Sequence, residues 1–179
     1  MVGVFYRFCF VCLASVLLLS ACEQSVPAVN VMETKKTCTN DTILVYNFEE
    51  LAPLLQTNKE QTIVVNFWAM WCVPCVKELP YFQALADAHP ELEVVLVSMD
   101  FPAEIESTLK PFLREKNINL KVVLLDDPDA NTWIDKIDPN WSGAIPFTIV
   151  FNNNKRAYFE QSFESLEDLE NQINQTINN

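Results

Sequence analysis

The chain has 179 residues, half of them hydrophobic, which suits one ordinary domain with a filled core and excludes a disordered tail. Its net charge of −12 repels phosphate backbones, and no basic cluster offsets it, so no nucleic-acid partner is expected. With 2 glycines there is no G-x-G-x-x-G or P-loop, a single His (His89) leaves no His-based zinc site or Ser-His-Asp triad, and 6 cysteines point to chemistry rather than staples.

Residues 1–21 read as an export signal rather than part of the fold. Arg7 supplies a positive n-region, residues 8–19 are an apolar run broken only by Ser15, and Leu19-Ser20-Ala21-Cys22 closes it. The run is shorter than the roughly 20 residues that span a bilayer. Its ending resembles the lipobox of bacterial lipoproteins. That resemblance implies cleavage before Cys22, lipid on the Cys22 sulfur and on the new amine, and a stable membrane anchor. Cys9 and Cys12 leave with the signal. Residues 22–41 are polar, contain Pro27 and read as a lipidated tether, with Cys38 a bystander in it. The implied location is the bacterial cell envelope, lipid-anchored and facing the periplasm, where disulfides persist.

Residues 42–179 form the domain. Residues 42–46 are a short β-prone run, and Asn47 caps a helix start with Glu50 at the third helical position. Residues 62–68 (TIVVNFW) are a β-branched apolar run of the kind buried on both faces of a sheet. Residues 76–89 carry Leu79, Phe82, Leu85 and Ala86 at helical spacing, and His89-Pro90 ends that helix. Residues 92–99 read as a second buried strand. Pro102 opens a helix with the stripe Ile105, Leu109, Phe112 and Leu113.

Residues 121–125 are a strand. Asp126, Asp127, Asp129, Asp135 and Asp138 read as a solvated acidic loop without the spacing of a calcium site. Residues 147–151 and 156–163 are strands joined by a glycine-free turn at residues 152–154. Ser165 and Asp168 suggest a capping box before a last helix bearing Leu169, Ile173 and Ile177. Trp133 and Trp141 receive no role. The fold class is α/β, a central mixed β-sheet flanked by helices on both faces.

The chemistry concentrates in residues 66–80, NFWAMWCVPCVKELP. A C-x-x-C that leaves a buried strand and opens a helix places its first sulfur at the helix N-terminus. Unpaired N–H groups and the helix dipole stabilise a thiolate there. The second sulfur lies one turn deeper, within disulfide reach. Cys72 is therefore the expected nucleophile and Cys75 the resolving thiol. Trp68 and Trp71 flank the site.

Trp71-Cys72-Val73-Pro74-Cys75 in this context resembles the active site of the thioredoxin superfamily. Ile145-Pro146, directly before a strand and about 70 residues away, resembles that superfamily's second landmark. The wide gap, the Asn66-Phe67-Trp68-Ala69 lead-in and Glu78-Leu79-Pro80 are similar to the TlpA-like branch of envelope-anchored thiol–disulfide oxidoreductases, several of which serve cytochrome c maturation. The resemblance implies a thioredoxin fold and a cis-proline at Pro146 facing the two cysteines. It implies a substrate groove bordered by Trp71, Val73, Pro74 and the backbone of Ile145, and a kink at Pro80. Plain thioredoxin carries a buried Asp where this chain has Asn66; the branch instead places a carboxylate at Glu78, positioned to exchange the proton of Cys75.

Val73-Pro74 contains no His to stabilise the reduced thiolate, which favours a reductant. The expected function is an envelope-anchored oxidoreductase that reduces disulfides in exported proteins and is recharged by a membrane dithiol donor. It would work as a monomer, with no metal and no cofactor beyond the Cys72–Cys75 pair. A disulfide oxidase or isomerase, a thiol-based copper chaperone and a non-catalytic interaction module stand as alternatives.

Overall fold

The computed structural model describes residues 42–56, 61–152 and 155–178. The export signal, the tether with Cys22 and Cys38, and Asn153 and Asn154 of the expected turn lie outside them. Strand β1 (Leu44–Tyr46) leads to α1 (Phe48–Leu51). The Asn47 side chain accepts from the Glu50 N–H at 2.9 Å, and the Glu50 carboxylate accepts from the Asn47 N–H at 3.0 Å, so the expected capping box is present. A 3-10 turn, Ala52–Leu55, follows. Then come β2 (Ile63–Trp68), α2 (Val73–Ala88), β3 (Glu93–Ser98), α3 (Lys110–Glu115), β4 (Lys121–Leu125), α4 (Ala130–Ile137), β5 (Phe147–Phe151), β6 (Arg156–Phe159) and α5 (Leu166–Asn178).

Among the described residues the strands form one sheet in the order β1-β4-β3-β2-β5-β6. The first four of these are mutually parallel; β5 and β6 join antiparallel. Alternate side chains of each strand enter opposite layers. Val64, Trp68, Leu96, Leu124 and Val150 share one core with Leu79, Phe82 and Leu85 of α2, Leu113 of α3 and Leu169 and Ile173 of α5. Val65, Phe67, Val97, Val123 and Ile149 share the other with Leu51, Leu55 and the α4 residues Trp133 and Ile137. Both faces of the mixed sheet are therefore covered, as expected. Strand β2, buried along its whole length, delivers the chain to the N-terminus of α2 from the middle of the sheet.

Three segments differ from expectation. The chain after β3 is not one helix but a 3-10 turn (Pro102–Glu104), a π-helical turn (Ile105–Leu109) and then α3. Pro111 has no N–H for the carbonyl four residues back, and the wide turn ending in Lys110 N–H to Ile105 O absorbs the change of register. The stripe survives, with Ile105, Leu109 and Leu113 buried.

The acidic segment is a solvated loop only in part: Asp126 and Asp129 are exposed in a turn and Asp135 is exposed, but a helix follows the turn and Asp138 is buried. Trp133 and Ile137, four residues apart and buried, drive residues 130–137 into a helix. Asp127 accepts from the Phe48 N–H at 3.0 Å, and Asp138 is buried with the Asn140 N–H on its carboxylate. Trp141 stacks on Phe147 at 4.1 Å and donates its indole N–H to the Ala144 carbonyl at 2.8 Å. The two tryptophans without an assigned role are core residues.

The last strand stops at Phe159 instead of running to Phe163. Phe163 turns into the core, and its N–H leaves the sheet for a side chain of α2. Only half of the second capping box forms: Ser165 Oγ accepts from the Asp168 N–H, but the Asp168 carboxylate accepts from the Glu164 N–H.

Replacing Trp141 by Ala removes a buried ring and its hydrogen bond, and should cost about 3–5 kcal/mol in urea unfolding. Trp71→Ala, at a surface position, should stay within about 0.5 kcal/mol of wild type in the same measurement.

Candidate active site

Residues 69–72 turn the chain from β2 into α2 at the C-terminal edge of the parallel strands. The turn is held at two points: the Cys72 N–H bonds the Ala69 carbonyl at 3.1 Å, and the Met70 N–H reaches both carboxylate oxygens of Asp100, at 3.0 and 3.2 Å. Cys72 then occupies the N-cap of α2. Its backbone is extended (φ −90°, ψ 100°), and its Sγ accepts from the Cys75 N–H at 3.3 Å, where a capping oxygen ordinarily sits. A sulfur in that place meets the unpaired N–H groups and positive end of the helix, which favours its thiolate. Pro74 in the first turn sacrifices no hydrogen bond.

Cys72 and Cys75 form a disulfide with Cα atoms 5.3 Å apart. Cys75 is wholly buried, while Cys72 lies just beneath the surface. The Ile145–Pro146 bond is cis, and the Ile145 carbonyl oxygen lies 3.6 Å from Cys72 Sγ. Trp71 (63% exposed) and Val73 (80%) flank the sulfur in sequence, Pro74 is exposed and Pro146 is buried. Phe101, 66% exposed, follows the Asp100 that grips Met70. The structure thus joins the two sequence landmarks at one place and adds an apolar rim.

Glu78 follows Cys75 by one turn on the same face of α2, and it is fully buried. Its Oε1 accepts from Asn66 Nδ2 at 3.0 Å, and its Oε2 accepts from the Phe163 N–H at 2.8 Å and from Ser162 Oγ at 3.2 Å. Burial raises its pKa from 4.5 to about 7, and the three donors only partly counter that. Lys77 points elsewhere and pairs with Glu164 on the surface. Asn66 also donates to Thr148 Oγ1 at 3.0 Å across the β2–β5 pair, and its Oδ1 has no partner among the described residues. Pro80 lies inside α2 at an exposed position. His89 sits past the far end of the 16-residue α2, about 24 Å along the axis from Cys72, between Glu91 (3.2 Å) and Glu170 (3.1 Å). Cys22 lies outside the described residues.

Sequence reasoning passed over Asp100, Ser162, Thr148 and the Phe163 N–H. Asp100 is buried, accepts from Ser98 Oγ at 2.8 Å, and has its pKa raised by burial. It did leave a signal: a lone carboxylate just past the end of a parallel strand, where α/β sheets concentrate their sites. Ser162 left none, because its partner is 84 positions away in the chain.

A family model described as the AhpC/TSA family matches residues 49–157, more than half of the chain. The chain belongs to the AhpC/TSA family. That match contains Cys72, Cys75, Glu78 and Ile145–Pro146. The sporulation thiol-disulfide oxidoreductase A of Bacillus subtilis is 31% identical over 104 residues, 57% of this chain and 56% of that one. The thiol-disulfide oxidoreductase ResA of Bacillus cereus is 31% identical over 118 residues, covering 63% and 64%. The chain thus spans under two thirds of the length of these curated relatives. Among solved structures, StoA from Bacillus subtilis superposes with a TM-score of 0.50 at 25% identity, over 64% of this chain and 83% of that one. A thioredoxin-related protein from Neisseria meningitidis superposes at 0.55 with 22% identity, over 68% and 88%. The thioredoxin fold and the resemblance to TlpA-like oxidoreductases read from the motif are borne out.

The buried carboxyl has a signature in stability. A folded-state pKa of about 7 against 4.5 means the folded protein keeps a proton that the unfolded chain releases between those values. This contribution is full below about pH 4.5 and is lost as the pH rises through about 7, at a cost on the order of 3 kcal/mol. Urea unfolding of wild type against Glu78→Gln should therefore show a gap that shifts in favour of the Gln variant from pH 5 to pH 8.

Proposed function

We propose that this protein is a thiol–disulfide oxidoreductase that reduces disulfides in exported proteins through Cys72 and Cys75. The observation that carries the reading is the placement of the Cys72 sulfur on the Cys75 N–H at the start of α2, bonded to a thiol that is itself buried. The Cys72 thiolate attacks one sulfur of a substrate disulfide and the other sulfur leaves as a thiolate. Glu78 takes the proton of Cys75, whose thiolate attacks Cys72 Sγ and releases the second substrate sulfur. The products are a reduced substrate and the Cys72–Cys75 disulfide. The pair needs no other cofactor, and a membrane dithiol donor returns its two electrons.

The apolar rim of Trp71, Val73 and Pro74 supports contact with an extended chain, and the Ile145 backbone beside Cys72 supports pairing with it. The lipobox-like ending at Cys22 supports lipid anchoring on the periplasmic side of the envelope. The names of the relatives support the reaction class. The absence of a cation between the two sulfurs supports the reducing direction.

Wild type should reduce insulin with dithiothreitol as donor, Cys72→Ser should be inactive, and Cys75→Ser should accumulate a mixed disulfide visible by mass. Wild type without turnover, together with no trapped species in Cys75→Ser, would sink the reading. The reduction potential of the pair should lie near −270 mV, and a value near −120 mV would reverse the direction.

A further inference from the structure

Glu78 can serve Cys75 repeatedly only if its proton can leave. Asn66 and Thr148, on the sheet side, are both fully buried, so that branch ends in the core. The Phe163 N–H donates only and has nothing to accept with. The third partner differs. The Ser162 hydroxyl donates to Oε2 now, but it can turn and accept from a protonated Oε2 without moving a heavy atom. Ser162 is also the only one of the three partner residues that is partly exposed, lying between exposed Gln161 and the buried Phe163.

We propose that Ser162 is the proton exit of the site: its hydroxyl links the enclosed carboxyl of Glu78 to solvent in both directions. The proposal rests on the oxidoreductase reading, and it assigns a positioning and relay role to a residue that does not touch substrate. As Cys75 gives its proton to Glu78, the carboxylic acid passes it to Ser162 Oγ while the Ser162 proton moves to water. No bond between heavy atoms changes. In the return step, which restores the Cys75 thiol, the same path runs inward.

The hydrogen-bond partners of Glu78 among the described residues are all neutral: Asn66 of β2, with Thr148 of β5 behind it, and Ser162 with the Phe163 N–H from the segment after β6. The nearby charges are engaged elsewhere, Lys77 with Glu164 and Asp168 of α5 with the Glu164 N–H, while His89 and Glu170 meet at the other end of α2. A shift in the pH response on changing Ser162 would therefore report on Glu78 itself.

The test compares wild type, Ser162→Ala and Ser162→Thr in the full chain. In single turnover of the reduced protein with a small disulfide, at low buffer concentration, Ser162→Ala should slow closure of the Cys72–Cys75 bond by about tenfold. Steady-state KM should hold while kcat falls. Added imidazole or acetate should restore the Ala variant in proportion to its concentration, and Ser162→Thr should behave as wild type. An Ala variant as fast as wild type overturns the relay, as does a slow one that buffer does not restore and Thr does not rescue. A pH jump on the oxidised protein, followed by the infrared band of the Glu78 carboxyl, needs no substrate. Slower protonation in Ser162→Ala than in wild type supports the relay even if wild type lacks turnover, and equal rates refute it. Loss of turnover in wild type, together with no mixed disulfide trapped by Cys75→Ser, refutes the oxidoreductase reading instead.

Discussion

Glu78 is an ionisable group wholly buried with no cationic partner among the described residues, and much of the surrounding structure answers to that. Leaving such a carboxyl unpaired would cost several kcal/mol. Three donors converge on it from two separate stretches of chain, β2 and the segment after β6. Supplying the Phe163 N–H requires the polypeptide to abandon β6 at Phe159 and turn inward, which in turn seats Phe163 edge-on against Phe82 of α2. Asn66 must stand on β2 where its neighbours Val64 and Trp68 are apolar, and it must have a hydroxyl opposite it on β5 to share. None of these partners is charged. Neutral donors compensate only part of the desolvation, so the group settles near neutrality instead of being driven fully ionised as an Arg or Lys partner would drive it.

The two thiols divide their work by position along α2. Cys72 is at the cap, where the helix terminus stabilises negative charge and solvent is close. Cys75 has passed into the core and loses that help, so its proton needs a nearby acceptor. A carboxyl with a pKa near 7 is matched to that task, because it can both take and return a proton at ordinary pH. The strand-to-helix turn enforces the division: it can hold only one sulfur at the N-cap, and helical geometry puts the other three residues on and one turn inside.

Much of this was legible in the sequence. The buried strands, the capped first helix, the dithiol and the proline opposite it are local patterns with local causes. What escaped were features whose causes lie elsewhere in the chain. Residues 130–137 follow an acidic turn, and their helix is decided by Trp133 and Ile137 finding the face of the sheet shared with Phe67 and Phe147. The end of β6 is decided by a carboxylate on α2. Ser162 and Asp100 belong to the site because folding brings them to Glu78 and Met70; Asp100 is marked only by its place just past a parallel strand, and Ser162 carries no mark at all.

The second buried carboxyl clarifies the electrostatics of the first. Asp100 grips the turn ahead of Cys72 through the Met70 N–H, and like Glu78 it has no cationic partner among the described residues. Two carboxyls therefore flank the dithiol, one holding the turn and one beneath the deeper thiol, with no histidine or lysine between the sulfurs. Any negative charge they carry opposes a thiolate, leaving the N-terminus of α2 as the main favourable influence on Cys72. Strong oxidants of this fold class depend on a stabilised reduced form. A site that withholds cations and adds carboxyls gives the reduced form little such support. In the proposed reading, the same arrangement that lets Glu78 exchange a proton with Cys75 also goes with electron donation to substrates over oxidation of them.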